Sequence, residues 1–326
     1  VEPPARELFG RVAEMEWLTN CISQVNRGAG GLVLVSGEIG SGRTALLESL
    51  VDVARLSGVT VAAASGARSE LVGQLARQLP HQAAGSASWL GLSTAAGIQP
   101  TVLVVDDIDH MDDRNRQGMT QLLRQQVAIE GMPILVVGAV DGSTPDSSGL
   151  LNGADTGLTP DVLQLGGLEK SAVISLVRAQ GVTGAIGAAL GRRLTEDLGG
   201  LPGVVVEQIS ALVQSGWLMP TPDGGLRAGV PMESIRNSPL PLPDRLRKAE
   251  ASRIQKLGAD ARRLFDVLVV LDMEATIELV GEIAAIDPQI LGRALHELST
   301  ARLIRERTEG VHEIVALRGD RTREVA

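Results

Sequence analysis

Residues 31–56 read GLVLVSGEIGSGRTALLESLVDVARL, and they decide the fold. The opening run 31–36 is apolar and of strand length, while residues 45–56 carry apolar side chains at helical spacing. Between them, Gly37-Glu38-Ile39-Gly40-Ser41-Gly42-Arg43-Thr44 fits the pattern G-x-x-x-x-G-K-[ST] at every fixed position except Arg43. Glycines at those places let backbone N–H groups wrap an anion, and the following helix points the positive end of its dipole at the same spot. Gly37, Glu38, Ile39, Gly40, Ser41, Gly42, Arg43, Thr44 and Ala45 are therefore expected to hold phosphate, with the Thr44 hydroxyl on Mg²⁺. A purely structural glycine turn is the plainer alternative, and the flanking strand and helix weigh against it. Arginine in the lysine position bears on chemistry: guanidinium is planar and directional, so binding survives the exchange more readily than hydrolysis does.

Outward from this loop, short apolar runs recur at 59–64, 101–105, 133–137 and 162–165, separated by helix-like stretches at about 70–79 and 114–129. Alternation of this kind predicts an α/β fold with a parallel sheet covered on both faces. The run Val102-Leu103-Val104-Val105 ends in Asp106 and Asp107. Asp106 is expected to hold Mg²⁺ and Asp107 to orient or activate an attacking water, which makes Asp107 the candidate catalytic residue. A buried strand followed by an acidic turn through Asp109, Asp112 and Asp113 is the alternative reading. Residues 142–159 are rich in Gly, Ser, Asp and Pro and read as an exposed loop.

From 169 to 216 the strand pattern gives way to helical spacing at 172–179, 188–198 and 204–213, a small helical lid. Residues 224–243 are punctuated by Gly and Pro and read as an extended linker. Helical patterns at 243–256, 260–271 and 288–302, followed by a hairpin of 303–307 with 311–316, resemble a winged helix. The predicted organisation is a nucleotide-binding core over 1–166, a lid over 167–220, a linker over 221–243 and a winged-helix domain over 244–326. Internal repeats are not apparent.

Composition bounds the function. The 326 residues are 44% hydrophobic and 21% charged, a globular balance, and the net charge of −9 argues against broad adhesion to nucleic acid or anionic membrane. One cysteine rules out an intrachain disulfide, and four dispersed histidines give no metal-ligand spacing. Apolar runs are strand-length and the start lacks a secretory pattern, so a cytoplasmic protein without a membrane span is expected. A first residue other than Met, and a helical look to 321–326, suggest a piece of a longer chain. With no tyrosine and two phenylalanines, Trp17, Trp89 and Trp217 are expected to pack rather than to stack on a base.

Taken together, these motifs resemble the signal-transduction ATPases with numerous domains (STAND), AAA-like P-loop NTPases, and specifically the ATPase module of large LuxR-type, maltose-activator-like bacterial regulators. Leu8-Phe9-Gly10-Arg11 followed by Glu14 looks like that family's opening L-x-G-R-x-x-E. By that resemblance Phe9, Gly10 and Arg11 help seat the adenine of bound ATP or ADP. Leu165-Gly166-Gly167-Leu168 resembles the last core strand and the start of the lid. Leu198-Gly199-Gly200-Leu201-Pro202 resembles the G-x-P signature, whose proline, here Pro202, approaches the base. Three departures stand out. Arg43 replaces lysine, Asp141 occupies the place of a polar or cationic sensor, and Gly319 stands where a histidine normally ties the winged helix to nucleotide. Each is expected to weaken triphosphate-dependent chemistry.

The resemblance implies a nucleotide-controlled conformational switch with weak or no ATP hydrolysis. It further implies a small-molecule or protein inducer and a DNA-binding domain, both acting through regions outside these residues, and self-association on activation. An actively hydrolysing ATPase using Thr44, Asp106 and Asp107, and a nucleotide-free interaction scaffold, are the alternatives. Direct DNA binding through Arg293, Arg302, Arg305 and Arg307 is opposed by the interleaved Glu297, Glu306 and Glu309.

Overall fold

The computed structural model describes residues 8–80, 88–96, 99–142, 153–241, 243–271, 273–301, 303–309 and 312–317. Its chain divides into two compact units, one of 1–176 with 194–205 and one of 177–193 with 206–326. The readings at residues 143–152, Arg302, Gly319 and 321–326 lie outside the described residues.

The first unit begins with α1 (Val12–Asn26), β1 (Gly31–Gly37), α2 (Arg43–Leu56), β2 (Thr60–Ser65), α3 (Leu71–Ala76) and α4 (Trp89–Ala96). It continues with β3 (Thr101–Asp106), α5 (Asp113–Leu122), a π-helical stretch Leu123–Ile129, β4 (Ile134–Asp141), α6 (Gly153–Thr156) and β5 (Asp161–Leu165). The five strands form one parallel sheet in the order β2-β3-β4-β1-β5. Why helices cover both faces follows from the alternation of side chains along each strand. Leu32, Leu34, Leu103, Val105, Ile134 and Val136 face one core, packed with Leu71, Leu75, Leu92, Met119 and Leu122 of α3, α4 and α5. Val33, Val35, Val102, Val104, Leu135 and Val137 face the other, packed with Leu18, Ile22 and Val25 of α1 and Leu46, Leu47 and Leu50 of α2. Each such side chain taken out of water contributes about 1.5–3 kcal/mol.

Since every strand runs the same way, the ends of β1, β3, β4 and β5 lie along one edge of the sheet, where parallel α/β sheets bind ligands. Strand β4 is longer than the apolar run 133–137 indicates. It continues through Gly138, where a Cβ would come within 2.6 Å of the Ile108 side chain, to Asp141, opposite Gly37 of β1.

Three helices follow, α7 (Lys170–Ala179), α8 (Gly184–Leu198) and α9 (Pro202–Gln214), each contributing residues to both units. The second unit then holds a hairpin of β6 (Leu218–Pro220) with β7 (Leu226–Ala228), and α10 (Met232–Asn237). Strand β7 and helix α10 fall where an extended linker is expected from composition, and β6 falls at the end of the expected lid. Pro231 sits at the N-cap of α10, a place where its missing N–H costs nothing, and Ile235 of that helix is buried. The buried Gln208 amide donates to the Pro241 carbonyl at 2.6 Å, which ties the proline-rich stretch down.

Beyond it come α11 (Asp244–Gln255), α12 (Ala259–Leu271), β8 (Ala275–Thr276), α13 (Ile277–Ile283), α14 (Pro288–Thr300), β9 (Ile304–Glu309) and β10 (His312–Leu317). The strands make a three-stranded antiparallel sheet, β8-β10-β9. Phe265, Leu264, Leu268, Leu298, Leu303 and Val315 form the core of this part. No helix among the described residues is long and apolar enough to cross a membrane.

Candidate functional site

The glycine loop leaves β1 at Gly37 and enters α2 at Arg43. Gly40 and Gly42 adopt φ values of 90° and 93°, the left-handed region that L side chains avoid, so the two glycines are a backbone requirement. Ser41 N donates to the Glu38 carbonyl at 2.9 Å, which folds the loop back on itself. No side chain caps the start of α2, leaving its first-turn amides to face whatever lies in the loop. Two further polar atoms are buried there without a hydrogen-bond partner: Oγ of the fully buried Ser41 and Nη1 of Arg43. Orphaned donors beside an uncapped helix start fit one anion, and a phosphate chain satisfies them together. Ile39 is 60% exposed, so of this loop's residues it offers backbone rather than side chain.

The two residues expected to hold Mg²⁺ lie next to each other. Thr44 Oγ1 donates to Asp106 Oδ2 at 2.7 Å, bringing together the start of α2 and the end of β3 across the intervening β4. A hydroxyl and a carboxylate oxygen at that separation are both hard oxygen ligands, the donor type Mg²⁺ requires.

Asp107 follows in a left-handed conformation with φ 51°, uncommon for a residue with a side chain. Gly66 permits it: a Cβ there would lie 2.4 Å from the Asp107 carbonyl oxygen. Burial and the adjacent Asp106 carboxylate hold the Asp107 carboxyl above its ordinary pKa, against the opposing pull of His110 and Arg43. Asp109, which reads in the sequence as part of an acidic turn, has a definite task. Its Oδ2 accepts from the Asp141 backbone N–H at 3.0 Å, and its Oδ1 lies 3.3 Å from His110 Nδ1. Asp112 caps α5 by accepting from Asn115 N at 2.7 Å. Asp141 thus stands at the end of β4 beside Gly37, next to the loop's first residue.

The opening segment lies close by. Phe9 is half-buried, and Gly10, with φ 62°, would place a Cβ 2.5 Å from that of Ala172 on α7. Arg11 is 6% exposed, and its guanidinium is spent on the protein itself. Nη1 donates to Glu14 Oε1 at 2.8 Å, while Nη2 donates to the carbonyls of Ser41, at 3.1 Å, and Gly166.

Pro202 lies against the phosphate loop. A Cβ on Gly42 would be 3.2 Å from its Cγ, and the next residue's amide, Gly203 N, donates to the Gly40 carbonyl at 2.8 Å. The tetrapeptide Leu-Gly-Gly-Leu occurs twice, at 165–168 and 198–201, and the fold packs the two copies backbone to backbone. Leu168 N donates to Gly200 O at 2.8 Å, and a Cβ on Gly167 would lie 1.8 Å from Gly199 O. In the sequence these glycines belong to two separate motifs, and the identical tetrapeptide is the one feature the segments share.

The AAA ATPase domain family matches residues 7–137. No curated protein matches the chain. Among solved structures, the chain is similar to the Aeropyrum pernix ORC2 protein in its ADPNP-ADP complexes, with a TM-score of 0.67 at 15% identity over 98% of this chain and 93% of that one. Drosophila ORC bound to DNA gives a TM-score of 0.51 at 16% identity, covering 99% and 87%. Identities this low speak to the fold alone, an α/β P-loop fold with a five-stranded parallel sheet.

Proposed function

We propose that this chain is the nucleotide-binding regulatory module of a STAND-type bacterial transcriptional regulator, a cytoplasmic protein switched by ADP and ATP with weak or no hydrolysis. One observation carries the reading. The start of α9, at Pro202 and Gly203, rests on the phosphate loop itself, and the remainder of that helix belongs to the second unit. A ligand that changes the loop therefore acts on a helix with residues in both units, a path by which nucleotide binding two arrangements with different affinities would favour one of them.

In this reading the backbone of 37–42 and the Arg43 guanidinium hold the β-phosphate, Thr44 and Asp106 hold Mg²⁺, and Pro202 with the Phe9-Gly10 turn flanks the base. Bound Mg²⁺-nucleotide would supply a polarised phosphoanhydride, and Asp107 would orient water toward it. Weak turnover follows from Arg43 in the lysine place and from Asp141, an acid beside Gly37 where a cation would stabilise transferred charge. The lid of the resembled family corresponds to α7–α9, and its winged helix to α12–α14 with β8–β10. An inducer site and a LuxR-type DNA-binding domain would lie outside these residues. Direct DNA contact through the hairpin is disfavoured, because Arg305 and Arg307 both pair with Glu274, at 3.3 and 2.6 Å.

Calorimetric titration of ATP and ADP with Mg²⁺, together with phosphate release, tests the proposal. The expected result is nucleotide binding weakened at least about tenfold by Arg43→Ala, the scale of one charge-assisted phosphate contact, with release near background. Rapid release abolished by Asp107→Asn would establish the hydrolysing alternative, and no binding at all would leave a scaffold.

A further inference from the structure

We infer that Arg11 is a positioning residue for the phosphate loop: it aims the Ser41–Gly42 peptide N–H into the loop and joins that loop to the starts of α7 and α9. The inference rests on the reading that the loop takes phosphate.

A trans peptide holds its C=O and the following N–H in opposite directions. Gripping the Ser41 carbonyl with Arg11 Nη2 therefore fixes the direction of the Gly42 N–H, on the opposite side of the same plane. Gly42 needs such a constraint. At φ 93° it occupies a conformation that glycine leaves as easily as it enters, and its own residue supplies no side chain to hold it. The grip is itself braced. Arg11 is the N-cap of α1, with its carbonyl accepting from Met15 N at 3.0 Å, and Glu14 Oε1 takes Nη1 at 2.8 Å. With the guanidinium buried and its plane set by Glu14, Nη2 has little freedom to turn.

The same nitrogen donates to Gly166 O, and from there the contacts run in a closed circuit. Gly167 abuts the Gly199 carbonyl, and Leu168 N bonds Gly200 O. Three residues further on, Gly203 N returns to Gly40 O in the phosphate loop. Loop, α7 start and α9 start thus share one ring of backbone contacts with a single side chain in it. Phosphate that orders the loop orders the other two segments through that ring, and linkage makes the effect reciprocal. This differs from seating adenine through the Arg11 side chain, because a guanidinium already engaged with three oxygens has no role in distinguishing bases.

The test compares the whole chain with Arg11→Lys and Glu14→Gln. Lysine keeps the charge and loses the fork; glutamine keeps Arg11 and loosens its plane. Hydrogen exchange is followed without nucleotide, and affinities are measured for ADP, pyrophosphate, ATP and GTP. In Arg11→Lys, exchange should rise together at 38–44, 165–168 and 199–203, with the body of α1 unchanged. ADP and pyrophosphate should weaken by one common factor of roughly tenfold or more, with the ATP-to-GTP ratio unchanged. Glu14→Gln should move both readouts the same way, by less. A collapse of the ATP-to-GTP ratio with pyrophosphate unaffected would show a base contact and overturn the inference. So would an exchange increase confined to residues 8–26. If the parent chain binds neither ADP nor pyrophosphate, the functional reading fails, and the exchange pattern still decides the role of Arg11. Should Arg11→Lys fail to fold, Glu14→Gln decides by the same two readouts.

Discussion

Replacing Gly167 by alanine tests the pairing of the two Leu-Gly-Gly-Leu segments, and its neighbour Gly166 supplies the control. A Cβ on Gly167 would lie 1.8 Å from Gly199 O and 3.0 Å from Gly199 C, both backbone atoms that no rotamer change can move. An ordinary carbon contact needs about 3.5 Å, so the two segments must part by more than about 1 Å. That separation breaks the 2.8 Å bond from Leu168 N to Gly200 O, costing about 1 kcal/mol. Forcing a methyl into a closed contact adds about 1–3 kcal/mol. The expected loss is about 2–4 kcal/mol, equivalent to a fall in Tm of roughly 4–16 °C for a unit of about 150–250 residues. Gly166→Ala meets nothing within 4 Å and lies outside the left-handed φ range, so its effect should stay within about 0.5 kcal/mol. Both variants of the whole chain would be followed by circular dichroism in heat and in urea. Equal shifts in the two, or no shift for Gly167→Ala, would refute the packing argument.

Two further outcomes follow from the site. The Asp107 pKa is raised in the folded chain by burial first and by Asp106 second, so folding favours the protonated form, and that contribution is lost as pH rises through the folded value. Asp107→Asn should therefore raise Tm at pH 7, with the gain shrinking as pH falls toward about 4, leaving only the pH-independent benefit of asparagine at φ 51°; a gain that grew on acidification would contradict this. Thr44→Val removes the exposed hydrogen bond to Asp106, costing less than about 1 kcal/mol of stability, but should cut the Mg²⁺-dependent part of ADP affinity about tenfold while sparing Mg²⁺-free ADP, as calorimetry with and without chelator would show.

What sequence makes legible here is set by how local the physics is. Strands β1, β3 and β4 of the sheet can be read from their runs because a strand buried on both faces must be apolar throughout. The phosphate loop can be read because its glycines answer a backbone demand met within eight residues. Helix α1 carries the same kind of signal in Leu18, Cys21, Ile22 and Val25, but the motif at its start draws the eye from the helix that follows. Short elements fare worse. Helix α10 is written as a proline-rich linker, and β8 with α13 spans too few residues for a period to declare itself; the side-chain cap of α13 is Thr276 Oγ1, accepting from Leu279 N at 3.3 Å.

The site divides in the same way. Thr44 and Asp106 are far apart in sequence yet each is recognisable alone, because each ends or begins an element with its own pattern, and the sheet order then brings them to 2.7 Å. Arg11 is recognisable as part of a motif, but the oxygens its side chain holds are backbone carbonyls, which have no identity in a sequence. Asp109 is hidden for the same reason, since its partner is the amide of Asp141. Side-chain-to-backbone contacts between distant segments leave a trace on only one of the two partners. When that partner is a common residue in a plausible turn, nothing marks it. The pairing of Gly167 with Gly199 is the limiting case, in which neither partner has a side chain and the only mark is that the chain spells the same four residues twice.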